Sequence, residues 1–295
     1  MTDDSSLLHP NARLLRSVLF VPGDKPRALD KAQGLGADAL IIDLEDAVAT
    51  ERKAEARRNA LDAVARFKSH HLFTVLRIAE PGSRDLAADM VIAAQSTPDA
   101  VLIAKLEDAE QLNAVRKRLD DAGYHGPVWA MIETPRGVFN VEAIARAAPL
   151  NRLEAFVAGA NDLAEGLRLP EGEMRRRALE PHLARMVLAA RAMGLAVLDA
   201  VYNAYTDEAG LENEAWQGRQ LGFDGKTLIH PSQIYPVHQA FAPSTSELDW
   251  ARSVVDAFDD PAHAGKGAVP VQGRMVEHMH LRTAKALLAA VQATE

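Results

Sequence analysis

Eight short apolar runs recur between residues 16 and 241, and helix-like patterns separate them. Most of the runs are continuously apolar, which is typical of parallel strands buried on both faces. Amphipathic stretches such as Thr50–Phe67 and Asp108–Ala122 predict helices between them. The predicted strands are Arg16–Val21, Ala39–Leu44, Phe73–Ile78, Ala100–Lys105, Val128–Ile132, Glu154–Ala158, Ala196–Val201 and Lys226–Ile229.

Eight βα units of this spacing predict a (β/α)8 TIM barrel over residues 12–241. The alternative is a doubly wound open sheet, but no G-x-G-x-x-G follows the first strand to support dinucleotide binding. We expect residues 242–295 to form a separate C-terminal helical lid, with helices at Glu247–Phe258 and about Leu281–Ala293.

Composition excludes several classes of protein. With 48% hydrophobic and 25% charged residues, the 295-residue chain reads as a soluble globular protein. A net charge of -8 argues against a nucleic-acid partner, and the absence of cysteine excludes disulfides and thiolate metal sites. No apolar run approaches the ~20 residues of a membrane span, and the polar start MTDDSSLLHP does not resemble a secretory signal. We expect a cytoplasmic enzyme that binds no membrane.

Ionisable and polar residues concentrate at the carboxyl ends of the predicted strands. Chemistry in such barrels takes place at this end, and burying so many charges is costly unless they pair or bind a ligand. The residues are Asp43, Glu45, Asp46, Arg77, Lys105, Glu133, Asn161, Asp162, Asp199 and His230.

Glu133 and Asp162 follow neighbouring strands, so their carboxylates could share one cation. Oxygen ligands without histidine or cysteine favour Mg²⁺, which keeps water or substrate oxygens in its other positions. The structural alternative is that Asp162 caps the following helix and Glu133 pairs with Arg136.

Arg77 could hold a small carboxylic acid through its guanidinium group. The alternative is an internal salt bridge with an acidic residue of the IIDLEDAV segment. That acidic segment could hold metal-bound water, or it could orient Arg77 and Lys105. Lys25, in a PGDKP turn, could meet a phosphate or could be an ordinary surface lysine.

Three further groups of basic residues are interpreted as taking no part in the chemistry. His230 could act as a base, but a hydrogen-bonded structural role is favoured. His278 and His280 resemble a metal-binding tract, but no further ligand spacing lies nearby, and they are interpreted as solvated side chains. The run Arg175–Arg177 is interpreted as a solvated helix face.

Five ordered motifs make the chain resemble the citrate lyase β-subunit-like family, within the citrate lyase and HpcH/HpaI-type aldolases. They are RSVLFVPGDKP, ALIIDLEDAV, MIETPRGVFN, GANDLAEGL and LGFDGKTLIHPSQI, and a weaker match, VQGRMVEHMHLRTAKALL, continues into the tail. The resemblance implies a TIM barrel that forms a homotrimer or hexamer, whose C-terminal segment can cover a neighbour's active site. It also implies Mg²⁺-dependent, reversible cleavage of a 3-hydroxyacyl-CoA, such as citryl-, malyl- or citramalyl-CoA, into an acyl-CoA and a 2-oxo acid, with Mn²⁺ as the alternative metal.

The resemblance assigns roles to individual residues. Glu133 and Asp162 match the metal ligands, and Arg77 matches the arginine that holds the oxo-acid carboxylate. Glu45 and Asp46 match the acidic pair beside the metal. The residues expected to help bind coenzyme A or substrate are Arg16, Lys25 and Lys105.

Two departures from the family pattern affect the expected substrate. Ala79 stands where an asparagine is common after the arginine motif, and Glu277 stands where the lid carries an acid/base aspartate. Three alternatives to the lyase therefore stay open. They are a class II-type aldolase acting on free 2-keto-3-hydroxy acids, a malyl-CoA thioesterase or malate-synthase-like enzyme, and a non-catalytic subunit of a citrate lyase complex.

Overall fold

The computed structural model describes residues 14–172 and 174–292. It divides into two compact units, one formed by Leu15–Phe241 and one that begins at Ala242. Each unit is described by itself. The end residues 12, 13 and 293–295 of the predicted segments lie outside the described part of the chain.

The first unit is a closed barrel of eight parallel strands, in which each strand pairs with the next along the chain and β8 pairs with β1. The strands are Ser17–Pro22 (β1), Ala39–Asp43 (β2), Phe73–Ile78 (β3), Ala100–Ile103 (β4), Val128–Ile132 (β5), Leu153–Ala158 (β6), Ala196–Asp199 (β7) and Gly225–Leu228 (β8). The predicted (β/α)8 barrel is confirmed, and the closed sheet excludes the open alternative. No strand boundary differs from its prediction by more than two residues.

Helices follow the strands around the outside of the barrel. They are Pro26–Ala32 (α1), Lys53–Ser69 (α2), Leu86–Ser96 (α3), Ala109–Ala122 (α4), Pro135–Phe139 (α5), Val141–Arg146 (α6), Ala148–Asn151 (α7), Ala160–Gly166 (α8), Met174–Ala192 (α9), Glu208–Leu221 (α10) and Ile234–Phe241 (α11). Short 3-10 helices precede α2 at Thr50–Arg52 and α11 at Pro231–Gln233. Among the described helices, none is both long and apolar enough to cross a membrane.

Alternation along the strands divides the buried residues into two cores. Ile41, Val75 and Met131 belong to the cluster inside the barrel, whereas the larger cluster packs the strands against the helices. Since side chains alternate with a period of two, the residues two places further along, Asp43, Arg77 and Glu133, also face inward. The strand pattern thus delivers charged groups to the carboxyl end of the barrel interior.

A second charged cluster is buried between β7, β8 and the helices outside them. Arg176 makes a two-pronged ion pair with Asp199 at 2.8 and 2.9 Å. The fully buried Lys226 ammonium donates to Glu214 at 2.7 Å and to the carbonyl of Ala200 at 2.6 Å. The interpretation of Arg175–Arg177 as a solvated helix face is therefore wrong for Arg176, whose side chain spans the helix layer to neutralise Asp199.

The second unit combines two helices with a hairpin. Its helices are Thr245–Asp259 (α12) and His278–Gln292 (α13), and Ala268–Val271 (β9) pairs antiparallel with Arg274–Glu277 (β10). The two helices correspond to the predicted ones, and the hairpin between them was not predicted. Its two-residue turn, Gln272-Gly273, has positive φ at both positions, as tight hairpins require. Asn-Gly is the commoner signal for this turn.

An ion-pair cluster fastens the amino end of the barrel. Arg16 lies just before β1 and holds Asp38 through Nε at 2.9 Å and Nη2 at 2.8 Å. His238 of α11 shares a 2.7 Å hydrogen bond with the buried Ser17 hydroxyl and lies 3.5 Å from Asp38. Burial lowers the pKa of His238; the nearby carboxylate of Asp38 opposes this shift and Arg16 adds to it.

This geometry predicts how stability depends on pH. Because the folded-state pKa of His238 is lower than its ordinary value of about 6.5, the unfolded chain takes up the proton first on acidification. The stabilisation that neutral His238 contributes is fully present above about pH 6.5 and is lost as the pH falls through its folded-state pKa. We expect the free energy of unfolding of the wild type to fall more steeply than that of His238→Gln between about pH 7 and pH 5, as measured by urea denaturation.

His182→Gln, in the partly exposed part of α9, is the control and should follow the wild-type pH profile. Parallel profiles for wild type and His238→Gln would contradict the assignment.

Candidate active site

Asp43, the residue of β2 that pairs with Arg77 of β3, anchors the Arg77 side chain near the carboxyl end of the strand. Nε donates to Asp43 at 2.7 Å and Nη2 at 2.6 Å, which occupies both oxygens of the carboxylate. Nη1 lies 3.4 Å from Glu45 and 3.5 Å from the sulfur of Met131, and the guanidinium stands 5.0 Å from the centre of the Phe20 ring. Burial alone would lower the pKa of Arg77, but the neighbouring carboxylates, Asp43 foremost, together outweigh burial and raise the pKa, so the group stays charged. The predicted internal salt bridge exists, and it leaves Nη1 as the least engaged nitrogen.

Glu133 directly follows β5 and is fully buried. Its Oε1 accepts a hydrogen bond from the backbone N–H of Lys105 at 2.8 Å, whereas its buried Oε2 has no hydrogen-bond partner among the described residues. Burial, together with the charge of Asp162, raises the pKa of Glu133 to about 8. A buried carboxylate oxygen without a partner is costly unless something binds it.

Gly159 makes room for Glu133. A Cβ atom at position 159 would lie 2.3 Å from Glu133 Cβ and 2.6 Å from its Oε2, closer than a Cβ atom can approach either. The glycine therefore lets the Glu133 carboxylate lie over the end of β6.

Lys105 connects the acidic groups of this end of the barrel. Its backbone is left-handed, with φ of 46°, which is uncommon for a residue with a side chain. Its ammonium donates to Glu45 at 2.8 Å and to Asp46 at 2.9 Å, and it lies 3.8 Å from Asp162. Burial alone would lower the pKa of Lys105, but the hydrogen bonds with Glu45 and Asp46 raise it, so the ammonium is retained.

Asp162 lies in the first turn of α8, and neither structural alternative for the carboxylate pair is observed. The residue at the N-cap of α8 is Gly159, so Asp162 does not cap the helix. Arg136 donates to Asp108 at 2.8 Å and therefore does not serve as the partner of Glu133. A cavity of about 580 Å³ borders Asp162, and the hydrogen-bonded pair Asn161 and Asn203 lies on its wall.

The donor set fits a hard divalent cation. Glu133 offers a buried, unpartnered oxygen. The half-buried Asp162 is close enough to raise the pKa of Glu133. Among the described residues no three His, Cys, Asp or Glu side chains converge on one metal position. Two carboxylates match Mg²⁺, which is usually held by one or two carboxylates together with water and substrate oxygens.

The barrel brings together six of the predicted site residues at its carboxyl end. They are Glu45, Asp46, Arg77, Lys105, Glu133 and Asp162. Lys25 follows β1 at the same end; its side chain is 57% exposed and pairs with Asp24 at 3.4 Å. Arg16 lies at the amino end of its strand, away from this group, and Glu277 belongs to the second unit.

Two of the predicted histidine groups have structural contacts. His230 caps the 3-10 helix Pro231–Gln233 by accepting the backbone N–H of Ser232, as the structural interpretation predicted. In the tail, the imidazole of His280 accepts the backbone N–H of Glu277 at 3.0 Å.

Sequence reasoning named Asp43 as one of three possible salt-bridge partners of Arg77, with Glu45 and Asp46, and a period-two count from Ile41 distinguishes it by placing it beside Arg77. It did not single out Gly159, on which the site also depends. Gly159 lay inside a quoted motif without a role. A glycine directly after an apolar strand is the available signal, but the neighbour that requires it comes from another strand.

Comparison with known proteins identifies relatives over nearly the whole chain. The family model for HpcH/HpaI aldolase/citrate lyase matches residues 16–231. A (3S)-malyl-CoA thioesterase of Cereibacter sphaeroides is 43% identical over 282 residues, 96% of each chain. The citrate lyase subunit beta of Escherichia coli strain K12 is 34% identical over 300 residues, 98% of this chain and 97% of the relative.

A solved structure shares the fold along the same length. The crystal structure of protein CitE from Mycobacterium tuberculosis, in complex with magnesium, acetoacetate and coenzyme A, superposes with a TM-score of 0.76. It is 31% identical and covers 96% of this chain and 100% of its own. The resemblance inferred from the five motifs is confirmed, and the chain belongs to the HpcH/HpaI aldolase/citrate lyase family.

Proposed function

We propose that the chain is a Mg²⁺-dependent carbon–carbon lyase, with Mn²⁺ as an alternative metal, that cleaves a 3-hydroxyacyl-CoA into an acyl-CoA and a 2-oxo acid. The observation that carries the proposal is the unpartnered, buried Oε2 of Glu133, placed beside Asp162 and Arg77 at the catalytic end of the barrel. The M. tuberculosis relative, crystallised with magnesium, acetoacetate and coenzyme A, supports a metal, a small oxo acid and a coenzyme A thioester as ligands. A citrate lyase beta subunit from M. tuberculosis, 32% identical to this chain, has been solved in complex with oxaloacetate and magnesium.

The reaction breaks one carbon–carbon bond and moves one proton from the hydroxyl group to carbon. The bond between the hydroxyl-bearing carbon and the carbon next to the thioester breaks, and the hydroxyl loses its proton to a base. The hydroxyl-bearing carbon becomes the carbonyl of the oxo acid, and the electron pair passes to the other carbon, which takes up a proton.

The described residues can hold the oxo-acid half of such a substrate. Nη1 of Arg77 would bind the substrate carboxylate, because Asp43 already holds the other two guanidinium nitrogens. Glu133 and Asp162 would hold the metal, which supplies Lewis-acid stabilisation of developing oxyanion charge. Glu45 and Asp46 orient Lys105 and Arg77, and Lys105 adds positive charge beside the substrate.

Thioester hydrolysis is the second candidate, because relatives at 43% identity are named (3S)-malyl-CoA thioesterase. The two reactions leave different products. Hydrolysis adds water across the carbon–sulfur bond and yields free coenzyme A with a hydroxy acid. The geometry favours cleavage of the carbon–carbon bond, since the assembled charges suit the carboxylate and hydroxyl of the substrate more than its thioester.

Product analysis separates these activities. We expect purified protein with Mg²⁺ to convert malyl-, citramalyl- or citryl-CoA into equal amounts of 2-oxo acid and acyl-CoA, because the charges hold the oxo-acid half. Mass spectrometry measures both products, and a thiol reagent measures free coenzyme A.

Free coenzyme A without a 2-oxo acid would establish the thioesterase instead. Cleavage of free 2-keto-3-hydroxy acids alone would favour the class II-type aldolase. Inactivity of the isolated chain would favour a role as a subunit of a citrate lyase complex.

Glu133→Gln tests the metal site independently of catalysis. We expect Mg²⁺ affinity, measured by titration calorimetry without substrate, to fall by at least about tenfold, because a neutral amide replaces an anionic ligand. The metal-free variant should be at least as stable to heat as the metal-free wild type, because it no longer buries an ionisable carboxyl group.

Glu110→Gln, an exposed position in the first turn of α4, is the matched control and should bind Mg²⁺ like the wild type. Unchanged affinity in Glu133→Gln would remove Glu133 from the metal site.

We further propose that the second unit acts as a lid and that Glu277 exchanges a proton with the α-carbon of the acyl-CoA. Glu277 ends β10, and its exposed side chain stands at the start of α13. A general acid or base of this kind contributes about 10²–10⁴-fold to the rate. In a homotrimer or hexamer, this residue would serve the site of a neighbouring subunit.

Mixed oligomers test this arrangement. Glu277→Ala and Glu133→Gln should each be nearly inactive alone, whereas homotrimers that contain both variants should regain about a third of the wild-type activity, because each such trimer has one intact site in three. Activity is measured on oligomers purified through different tags on the two variants. Active Glu277→Ala protein would exclude the residue from the chemistry, and inactive mixed oligomers would contradict a shared site.

A further inference from the structure

We propose that the Lys105 ammonium is the resident counter-cation of the carboxylate cluster, lowering its affinity for a divalent cation while raising its affinity for an anionic substrate. This inference rests on the proposed function, because it concerns the same site. In this proposal, the charge of Lys105 sets the relative affinities of the site for metal and for substrate, in addition to any direct contact with the substrate.

The charge distribution is the first argument. Five carboxylates gather at the carboxyl end of the barrel, and they face the two cationic side chains Arg77 and Lys105. Arg77 is already committed to Asp43 through two hydrogen bonds. The Lys105 ammonium serves acidic groups beyond Asp43, because it contacts Glu45 and Asp46 and lies 3.8 Å from the proposed metal ligand Asp162.

The position of the ammonium is the second argument. It lies 3.8 Å from Asp162, so a dication bound to that carboxylate would have the ammonium as a close like-charged neighbour. Like charges at such distances repel strongly in a partly buried site. Removing the ammonium should strengthen cation binding and remove attraction for a substrate carboxylate.

The fixed backbone is the third argument. The left-handed conformation at Lys105 turns the chain just beyond β4, where its N–H binds Glu133 while its side chain reaches Glu45 and Asp46. Lys105 thereby contacts a proposed metal ligand through its backbone and the neighbouring acidic pair through its side chain. The Lys105 side chain is only 21% exposed, so its charge is partly withdrawn from water.

Neutral and charged replacements of Lys105 test the inference. Lys105→Met removes the charge at similar length, and Lys105→Arg retains it. Lys117→Met is the matched control, because it removes one lysine charge from a 76% exposed position of α4, the helix that follows the same strand. Mg²⁺ affinity is measured by calorimetry without substrate, and pyruvate affinity is measured with saturating Mg²⁺.

We expect Lys105→Met to bind Mg²⁺ at least about tenfold more tightly than the wild type and pyruvate at least about tenfold more weakly. Lys105→Arg keeps the charge and should change both affinities less than Lys105→Met does. Lys117→Met should stay within about twofold of the wild type for both ligands. If Lys105→Met does not fold, Lys105→Gln removes the same charge and carries the same expectations.

The outcomes separate this inference from the proposed function. A wild-type protein that binds no Mg²⁺ would overturn the proposed function. A wild type that binds Mg²⁺, with equal or weaker binding by the neutral variants, would overturn the inference alone. Tighter Mg²⁺ binding with unchanged pyruvate binding would overturn its claim about the anionic substrate.

Discussion

The hydrogen bonds between β1 and β8 are the constraint on which the rest of the structure depends, because they turn eight strands into a closed ring. A closed sheet has a fixed inside, so side-chain alternation decides which residues meet there. Apolar residues fill the barrel interior towards the amino ends of the strands. Asp43, Arg77 and Glu133 occupy the inward-facing positions at the carboxyl ends. Side chains separated by many residues in the chain thus become neighbours.

Most of the barrel could be predicted from local pattern, and the chemistry of its open end could be predicted in part. Continuous apolar runs locate the strands because both faces are buried, and Glu133, Asp162 and Lys105 follow from the strand ends. Gly159 could not be assigned a role, because the side chain that requires a glycine there is Glu133, which follows the neighbouring strand. The hairpin in the second unit was missed because its Gln-Gly turn is a weak signal, and the burial of Arg176 depends on a partner from β7.

The two buried charged clusters of the barrel differ in how completely their members are paired. Asp199 of β7 and Lys226 of β8 are each held by ion pairs or hydrogen bonds with Arg176, Glu214 and the carbonyl of Ala200, as expected where buried charge is neutralised. The inner cluster leaves one Glu133 oxygen without a partner and one Arg77 nitrogen with only distant ones. Incomplete pairing in a protein interior is unfavourable for folding, and here it occurs at the carboxyl end of the barrel, where active sites of this fold lie.

Gly159 has a consequence for how the site tolerates sequence change. Any side chain at this position would displace the carboxylate of Glu133, although Gly159 itself offers no group that could bind or react. A screen of random variants for activity should therefore find position 159 as restricted as position 133. Intolerance to substitution measures the space that a functional group needs as well as the group itself, so the most restricted positions of a barrel of this kind include residues that leave room for their neighbours.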